Sequence, residues 1–334
     1  MRDLYPDVAS MLVAQGITAS EIDFPNDGYS GARLTSVEQG GQRYVLKRMR
    51  YADDWMMRWV GDTTCRDAQF AASPLAERLP DAVRTPALAA AHDGDGWAIL
   101  SRDITPIMLP KDGVVDDCML DTVLRAAATM HAYFWEDPLA DADFPLLGQR
   151  EHLTIVSPAS GAILVDEGKD FGVARGWELF RDRAPRAAAD LAFALFADMT
   201  PLLRALDRLP HTLIHGDLKF GNAGVESERL WLIDWANVSR APAGLEIAWF
   251  LAVNSSRLPC SLDEVLARYG RMLAEALGAP TFGAASWERQ RAALAVCGLL
   301  LYGWGKALDA EDGRPDELAW WCERALEGAV VLGL

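Results

Sequence analysis

The run His215-Gly216-Asp217-Leu218-Lys219-Phe220-Gly221-Asn222 sets a Lys two residues and an Asn five residues after an Asp. A turn and a short apolar stretch follow, ending Leu232-Ile233-Asp234-Trp235. A loop carboxylate can orient or deprotonate an attacking hydroxyl. An amide oxygen five residues on, and a carboxylate at the end of the next strand, can hold a hard divalent cation against phosphate oxygens. Phosphoryl transfer needs these parts. Mg²⁺ prefers oxygen ligands and keeps several waters, so two protein groups suffice. A bare His-Gly-Asp would be an ordinary turn, and Asp234 alone would merely end a strand. The full run with Asp234 behind it is what makes the pattern specific.

The pattern resembles the aminoglycoside phosphotransferase and choline kinase-like family, within the protein-kinase-like fold. The resemblance implies an ATP- and Mg²⁺-dependent kinase with Asp217 as catalytic base and Asn222 and Asp234 as metal ligands. It also implies that Lys219 touches the transferred phosphate and that His215 props the loop. Upstream, Lys47 lies in Tyr44-Val45-Leu46-Lys47-Arg48-Met49. In kinases a Lys at this point pairs with the α- and β-phosphates and is held by an acid on the next helix. Arg48 points to the opposite face of a strand and cannot substitute for it. Asp67 and Glu77 both qualify as the helix acid, and Asp67 is preferred. The family usually has Glu there, so the shorter Asp predicts a longer pair. Ser30 and Gly31, in Asp27-Gly28-Tyr29-Ser30-Gly31-Ala32, fit a phosphate-covering turn, where Gly permits close backbone approach and Ser can donate. Adenine is expected against the backbone of Ser101, Arg102, Asp103 and Ile104. Glu246 follows Asp234 by 12 residues, where the family generally has an Asp that buttresses the catalytic loop. Ala236 stands where the family often has a further acid, so handling of a second metal is expected to differ.

The short stretch from Asp234 to Glu246 leaves no room for the long activation segment of protein kinases or its Ala-Pro-Glu signature. Gly216 also replaces the Arg that reads activation-loop phosphate in many of them. Both features favour a small-molecule hydroxyl acceptor over a protein. Aminoglycosides, amino alcohols and sugars all fit, because fold analogy does not set substrate. A non-catalytic nucleotide-binding module is the rival from another class, and four matched groups at Lys47, Asp217, Asn222 and Asp234 argue against it. His131 reads as a buried structural histidine. Trp135, Trp249, Trp304, Trp320 and Trp321 could wall a pocket or meet an ammonium, but core packing is preferred for each.

These residues need elements to hold them. Residues 2–15 read as a helix, 32–37 and 42–49 as a hairpin around Gly40-Gly41, 62–79 as a helix and 97–100 as a buried strand. Residues 101–106 read as a connector. Residues 116–135 and 174–209 are helical in pattern, 212–214 and 230–233 are short strands, and most of the chain from 245 onward is helical. Residues 137–170 fit either an acceptor loop or a surface excursion. The expectation is an α+β bilobal fold: a β-rich nucleotide lobe, residues 1–103, and a mostly helical lobe, residues 104–334. The seam between such units is where ligand clefts form.

The whole chain is compatible with this. It has 334 residues, about half of them apolar, and a formal net charge of −16. Such a surface repels nucleic acid and anionic membranes. Five scattered cysteines with no CxxC pair argue against a disulfide framework or zinc site and fit a reducing cytoplasm. No basic-then-apolar leader opens the sequence. The most apolar run, residues 292–305, is shorter than the roughly 20 residues that span a bilayer and reads as a buried helix. Nothing in the sequence speaks to oligomeric state.

Overall fold

Gly40 and Gly41 have φ of +61° and +77°, the left-handed pair that a two-residue type I′ hairpin turn needs. In the computed structural model, which describes residues 4–18, 20–25, 31–110, 112–140, 142–278 and 282–334, this hairpin sits inside a six-stranded sheet. The strands in chain order are β1 (Leu4–Tyr5), β2 (Ile22–Asp23), β3 (Arg33–Gln39), β4 (Gln42–Met49), β5 (Val83–Arg84), β6 (Ala87–Asp93), β7 (Gly96–Arg102), β8 (Thr212–Ile214), β9 (Ala223–Glu226), β10 (Arg229–Leu232) and β11 (Ser239–Ala241). The helices are α1 (Val8–Ala14), α2 (Trp55–Trp59), α3 (Arg66–Ala72), α4 (Pro74–Glu77), α5 (Asp117–Tyr133), α6 (Gln149–Thr154), α7 (Pro158–Asp166), α8 (Val173–Arg183), α9 (Arg186–Ala197), α10 (Thr200–Leu206), α11 (Ala243–Asn254), α12 (Leu262–Leu277), α13 (Ala284–Glu311) and α14 (Asp316–Leu332).

The main sheet runs β1-β6-β7-β4-β3-β2. Its register sets Lys47 between Leu34 of β3 and Ile99 of β7. Alternation along β4 then sorts the side chains. Leu46 packs with Met11, Val37 and Leu100 on one face, and Met49 packs with Ala68, Ala71 and Ile99 on the other. Lys47 shares the face of Met49, toward α3. Arg48 leaves by the opposite face, bonding Glu21 at 2.6 and 2.7 Å.

The helix expected over 62–79 is broken. Pro74 pushes Ser73 out of the helical region, to φ −82° and ψ 149°. Ser73 then caps α4 by accepting from Leu75 N at 3.0 Å. The start is also later, because Cys65 has φ +56° and Asp62 accepts from Arg66 N at 2.8 Å. Likewise α1 begins only at Val8, where Asp7 caps it by accepting from Ser10 N at 2.7 Å. The stretch over 174–209 resolves into nearly all of α8, then α9 and α10, with Pro185 between the first two.

The second part is mostly helical and holds the largest apolar core. Its longest helix, α13, has 28 residues and is apolar enough to cross a membrane by length and composition, but 83% of its apolar window is buried inside the fold. That marks a core helix. Residues 137–170 contain α6 and α7. Although α2 follows β4 in the chain, it is fastened to the helical part. Arg58 Nη2 bonds both Glu167 oxygens, at 2.7 and 2.5 Å, and Trp59 Nε1 bonds Thr154 Oγ1 at 3.4 Å.

Candidate active site

Strand β8 is fully buried and pairs with β11. It delivers the loop that starts at His215. Gly216 makes the first bend with φ +81°, and a Cβ there would lie 2.1 Å from Asn237 O. Only glycine fits. His215 braces the bend as expected: Asp217 N donates to Nδ1 at 3.2 Å, and Nε2 lies 3.0 Å from Ile233 O. A ring protonated at Nε2 serves both bonds. Phe220–Asn222 form a 3₁₀ turn, and the β9–β10 hairpin leads to Asp234 through Ser227 and Glu228, both at positive φ. Ile233 N donates to Asn222 O at 3.1 Å, which sets Asn222 beside the strand end that carries Asp234.

Glu246, in the first turn of α11, is fully buried. It takes both backbone donors of the bend, His215 N at 2.6 Å and Gly216 N at 2.9 Å. Burial acts to raise its pKa, yet the net shift is downward, driven by His131 and His215 nearby and by the backbone donor. Glu in place of the family's Asp therefore still reaches the loop. His131 is buried, accordingly, with Nδ1 2.6 Å from Tyr269 OH. Farther along α11, Asn254 Oδ1 accepts from Phe220 N at 3.1 Å.

The cleft joins Lys47, Asp67, Asp217 and Asp234, and extends past Met57 to Asn237. Lys47 Nζ lies 2.8 Å from Asp67 Oδ2 and 3.0 Å from Asp234 Oδ1. Burial alone would lower the Lys47 pKa, but the two carboxylates raise it overall. In return, Lys47 and Lys219 hold Asp234 below the usual carboxylate range against the opposing effect of its burial. The lengthened Lys47–Asp67 pair is not found. Asp67 sits in the first turn of a short helix against the sheet, and its other oxygen accepts from Trp235 N at 2.9 Å. One carboxylate thus ties Lys47 to the backbone just after Asp234. Arg66 adds to this by donating to Ala236 O and Pro145 O, each at 2.8 Å. Asp234 itself has φ +67°, a conformation that Asp tolerates better than most residues.

Asp217 is 8% exposed, and its carboxylate is held on both oxygens. Oδ2 accepts from Lys219 Nζ and Asn222 Nδ2, each at 2.8 Å. Oδ1 accepts from Trp249 Nε1 at 2.6 Å. The sequence had given Trp249 no such part, since an indole in an apolar helix looks like core. Lys219 is raised in pKa by Asp217 despite its burial.

The expected nucleotide residues are more spread. Ser30 lies outside the described residues. Gly31 has φ +91°, and a Cβ there would come within 2.8 Å of Asp53 O. Ser101 and Arg102 lie within β7 rather than in a connector, and Ser101 pairs with Val45 and Ala87. Arg102 N donates to Pro86 O at 3.0 Å, and Asp103 N to Arg43 O at 3.1 Å. The Asp103 carboxylate pairs with Arg43 and accepts from Thr105 N at 2.9 Å. Ile104 is buried at the start of a 3₁₀ turn.

A sequence search of curated proteins returns no match. Among solved structures, the chain is similar to the choline kinase LicA from Streptococcus pneumoniae, with 12% identity, TM-score 0.51, and coverage of 98% of this chain and 97% of that one. It is also similar to a choline/ethanolamine kinase family protein from Mesorhizobium loti, with 13% identity, TM-score 0.49, and coverage of 98% and 92%. A third similar structure is a thermostable mutant of aminoglycoside phosphotransferase APH(4)-Ia in a ternary complex with ADP and hygromycin B, with 15% identity, TM-score 0.47, and 97% coverage of each chain. The two-lobed protein-kinase-like fold is common ground, and the family model described as "Phosphotransferase enzyme family" matches residues 22–281. Matched over most of its length, the chain belongs to the phosphotransferase enzyme family.

Proposed function

We propose that this protein transfers the γ-phosphate of ATP to a hydroxyl of a small molecule. The observation that carries the reading is the cleft in which the Asp217 carboxylate faces the Lys47–Asp67–Asp234 cluster. The acceptor hydroxyl oxygen attacks the γ-phosphorus as the bond to the bridging oxygen breaks. The hydroxyl proton passes to Asp217, and ADP leaves. Lys47 binds the α- and β-phosphates, and Lys219 neutralises charge on the transferred group. Positioning and charge neutralisation supply most of the rate gain, since a loose transition state asks for little covalent help.

Asn222 and Asp234 fit a Mg²⁺ site. Asn222 spends its Nδ2 on Asp217, which directs its amide oxygen away for a cation. Asp234 spends Oδ1 on Lys47, and its side chain is 37% exposed to the cleft. Among the described residues no group of three His, Cys, Asp or Glu could hold a metal, but one carboxylate and one amide oxygen are enough for Mg²⁺. When bound, Mg²⁺ would offset charge on the β- and γ-phosphates.

The acceptor reading is supported by the chain after Asp234. Residues 235–242 are used up by a 3₁₀ turn and β11 before α11 begins, so no long activation segment intervenes. Amino alcohols, aminoglycosides and sugars are the acceptor classes to test, with a cytoplasmic enzyme in view. ADP release from MgATP across a panel of hydroxylated small molecules, with Asp217→Asn as blank, tests the reading. Release that depends on one acceptor class and vanishes in the blank is expected. MgATP binding without release across a broad panel would favour a non-catalytic nucleotide-binding module.

A further inference from the structure

Of the three donors on the Asp217 carboxylate, two come from its own loop. The third, Trp249, comes from α11, three residues after Glu246. Oδ2 takes Lys219 and Asn222, and with two lone pairs to offer it is fully engaged. Oδ1 takes Trp249 alone and keeps one lone pair. We propose that Trp249 is a positioning residue: its indole fixes the plane of the Asp217 carboxylate and reserves Oδ1 as the atom that meets the acceptor hydroxyl. This rests on the kinase reading above.

Two features separate this role from packing. First, the fold does not force indoles to find partners. The Nε1 atoms of Trp55, Trp97, Trp231, Trp304 and Trp321 are buried with none among the described residues. Trp249 is only half-buried, where water could satisfy it, yet it makes the shortest indole bond among the described residues, and makes it to a charge. Second, the ring is itself fixed. It stands edge-on to Tyr302 of α13, with centroids 5.8 Å apart and planes at 82°. Its backbone belongs to the helix whose Glu246 and Asn254 hold His215, Gly216 and Phe220. Without Trp249, the carboxylate would be pinned at Oδ2 only and free to turn about that edge. Small misplacement of a reacting group costs rate steeply.

The test has a spectroscopic arm and a kinetic arm. In a ¹H–¹⁵N correlation spectrum of the protein labelled on tryptophan, Trp249→Phe identifies the Trp249 indole peak by its loss. Asp217→Asn, which keeps Trp249 in place, is expected to shift that peak and leave the other indoles where they are. An unmoved peak means the bond is absent in solution and overturns the proposal. In the ADP-release assay, Trp249→Phe is expected to lower kcat by about tenfold or more, the weight of one hydrogen bond to a charged group. The KM for ATP should stay within about twofold, because uniform binding is untouched. Trp249→Gln, which restores a donor, should recover part of the loss. If Trp249→Phe turns over like the wild type, the positioning role is wrong. If Trp249→Phe does not fold, Trp249→Gln and the Asp217→Asn spectrum still decide. A wild type that releases no ADP with any acceptor removes the kinase reading itself, and the positioning role with it.

Discussion

Replacing Asp217 by Asn keeps the side-chain volume while removing the charge and one of the two acceptor atoms. The proposed role then predicts a clean split. MgATP affinity should stay within about threefold, since Asp217 does not hold the nucleotide, while transfer is lost; isothermal titration beside the ADP assay checks both. Near-wild-type turnover would remove Asp217 from the base role. At Asp234 the expectation is different. Asp234→Ala takes away the one carboxylate assigned to the cation, so nucleotide binding should lose its dependence on Mg²⁺. An unchanged Mg²⁺ response would sink that assignment. Asp217 and Asp234 were legible from sequence because they sit in a local pattern, whereas Lys47 and Asp67 were reached through the family resemblance. The indole of Trp249 was not legible, because its bond to Asp217 joins residues 32 positions apart and no local pattern marks it.

Elements were legible where local rules and tertiary packing agree. Strand β4 spans Gln42–Met49, as the turn at Gly40-Gly41 and the β-branched and aromatic residues predict. Strand β6 was missed. Its Ala87-Leu88-Ala89-Ala90-Ala91 favours helix by intrinsic propensity, and pairing between β1 and β7 overrides it. The break at Pro74 follows from the rule for the residue before proline, which the single helix expected over 62–79 left out of account. At the bend before Asp217, Gly216→Ala puts a Cβ against the Asn237 carbonyl. It should cost about 2 kcal/mol or more in stability, seen as a lower Tm, and should cut transfer more than nucleotide binding. Wild-type transfer in Gly216→Ala would mean that the bend is not rate-relevant. Helix α6 carries a pH-sensitive weak point. His152 is buried and burial pushes its pKa down to about 4. The unfolded chain therefore binds a proton that the folded chain refuses, and stability falls as pH drops from about 6.5 toward 4. The full loss is on the order of 3 kcal/mol. Urea titrations at several pH values should show His152→Gln flattening this slope; an equal slope would mean that other groups carry it.

At the scale of the molecule, the two-lobed plan was readable from the order of strand-rich and helix-rich sequence, while the contacts between the lobes were not. Arg58 and Glu167 lie 109 residues apart, and nothing local marks them as partners. Their bond is part-exposed, so its strength should fall with salt. Arg58→Ala is expected to speed exchange of bound nucleotide by no more than about fivefold, with the difference shrinking at high ionic strength. Stopped-flow displacement of a fluorescent nucleotide measures it, and identical rates at low salt would show that the contact does not limit opening.

That contact also changes what kind of opening is available. A jaw on one hinge gapes widest at its far end. Here α2 is clipped to the helical part through Arg58 and Glu167, α3 through Arg66 and Asp67, and β5 pairs with β10. A part fastened at several separate places cannot swing freely about any one of them, so wide opening of the cleft has to release some of these contacts first.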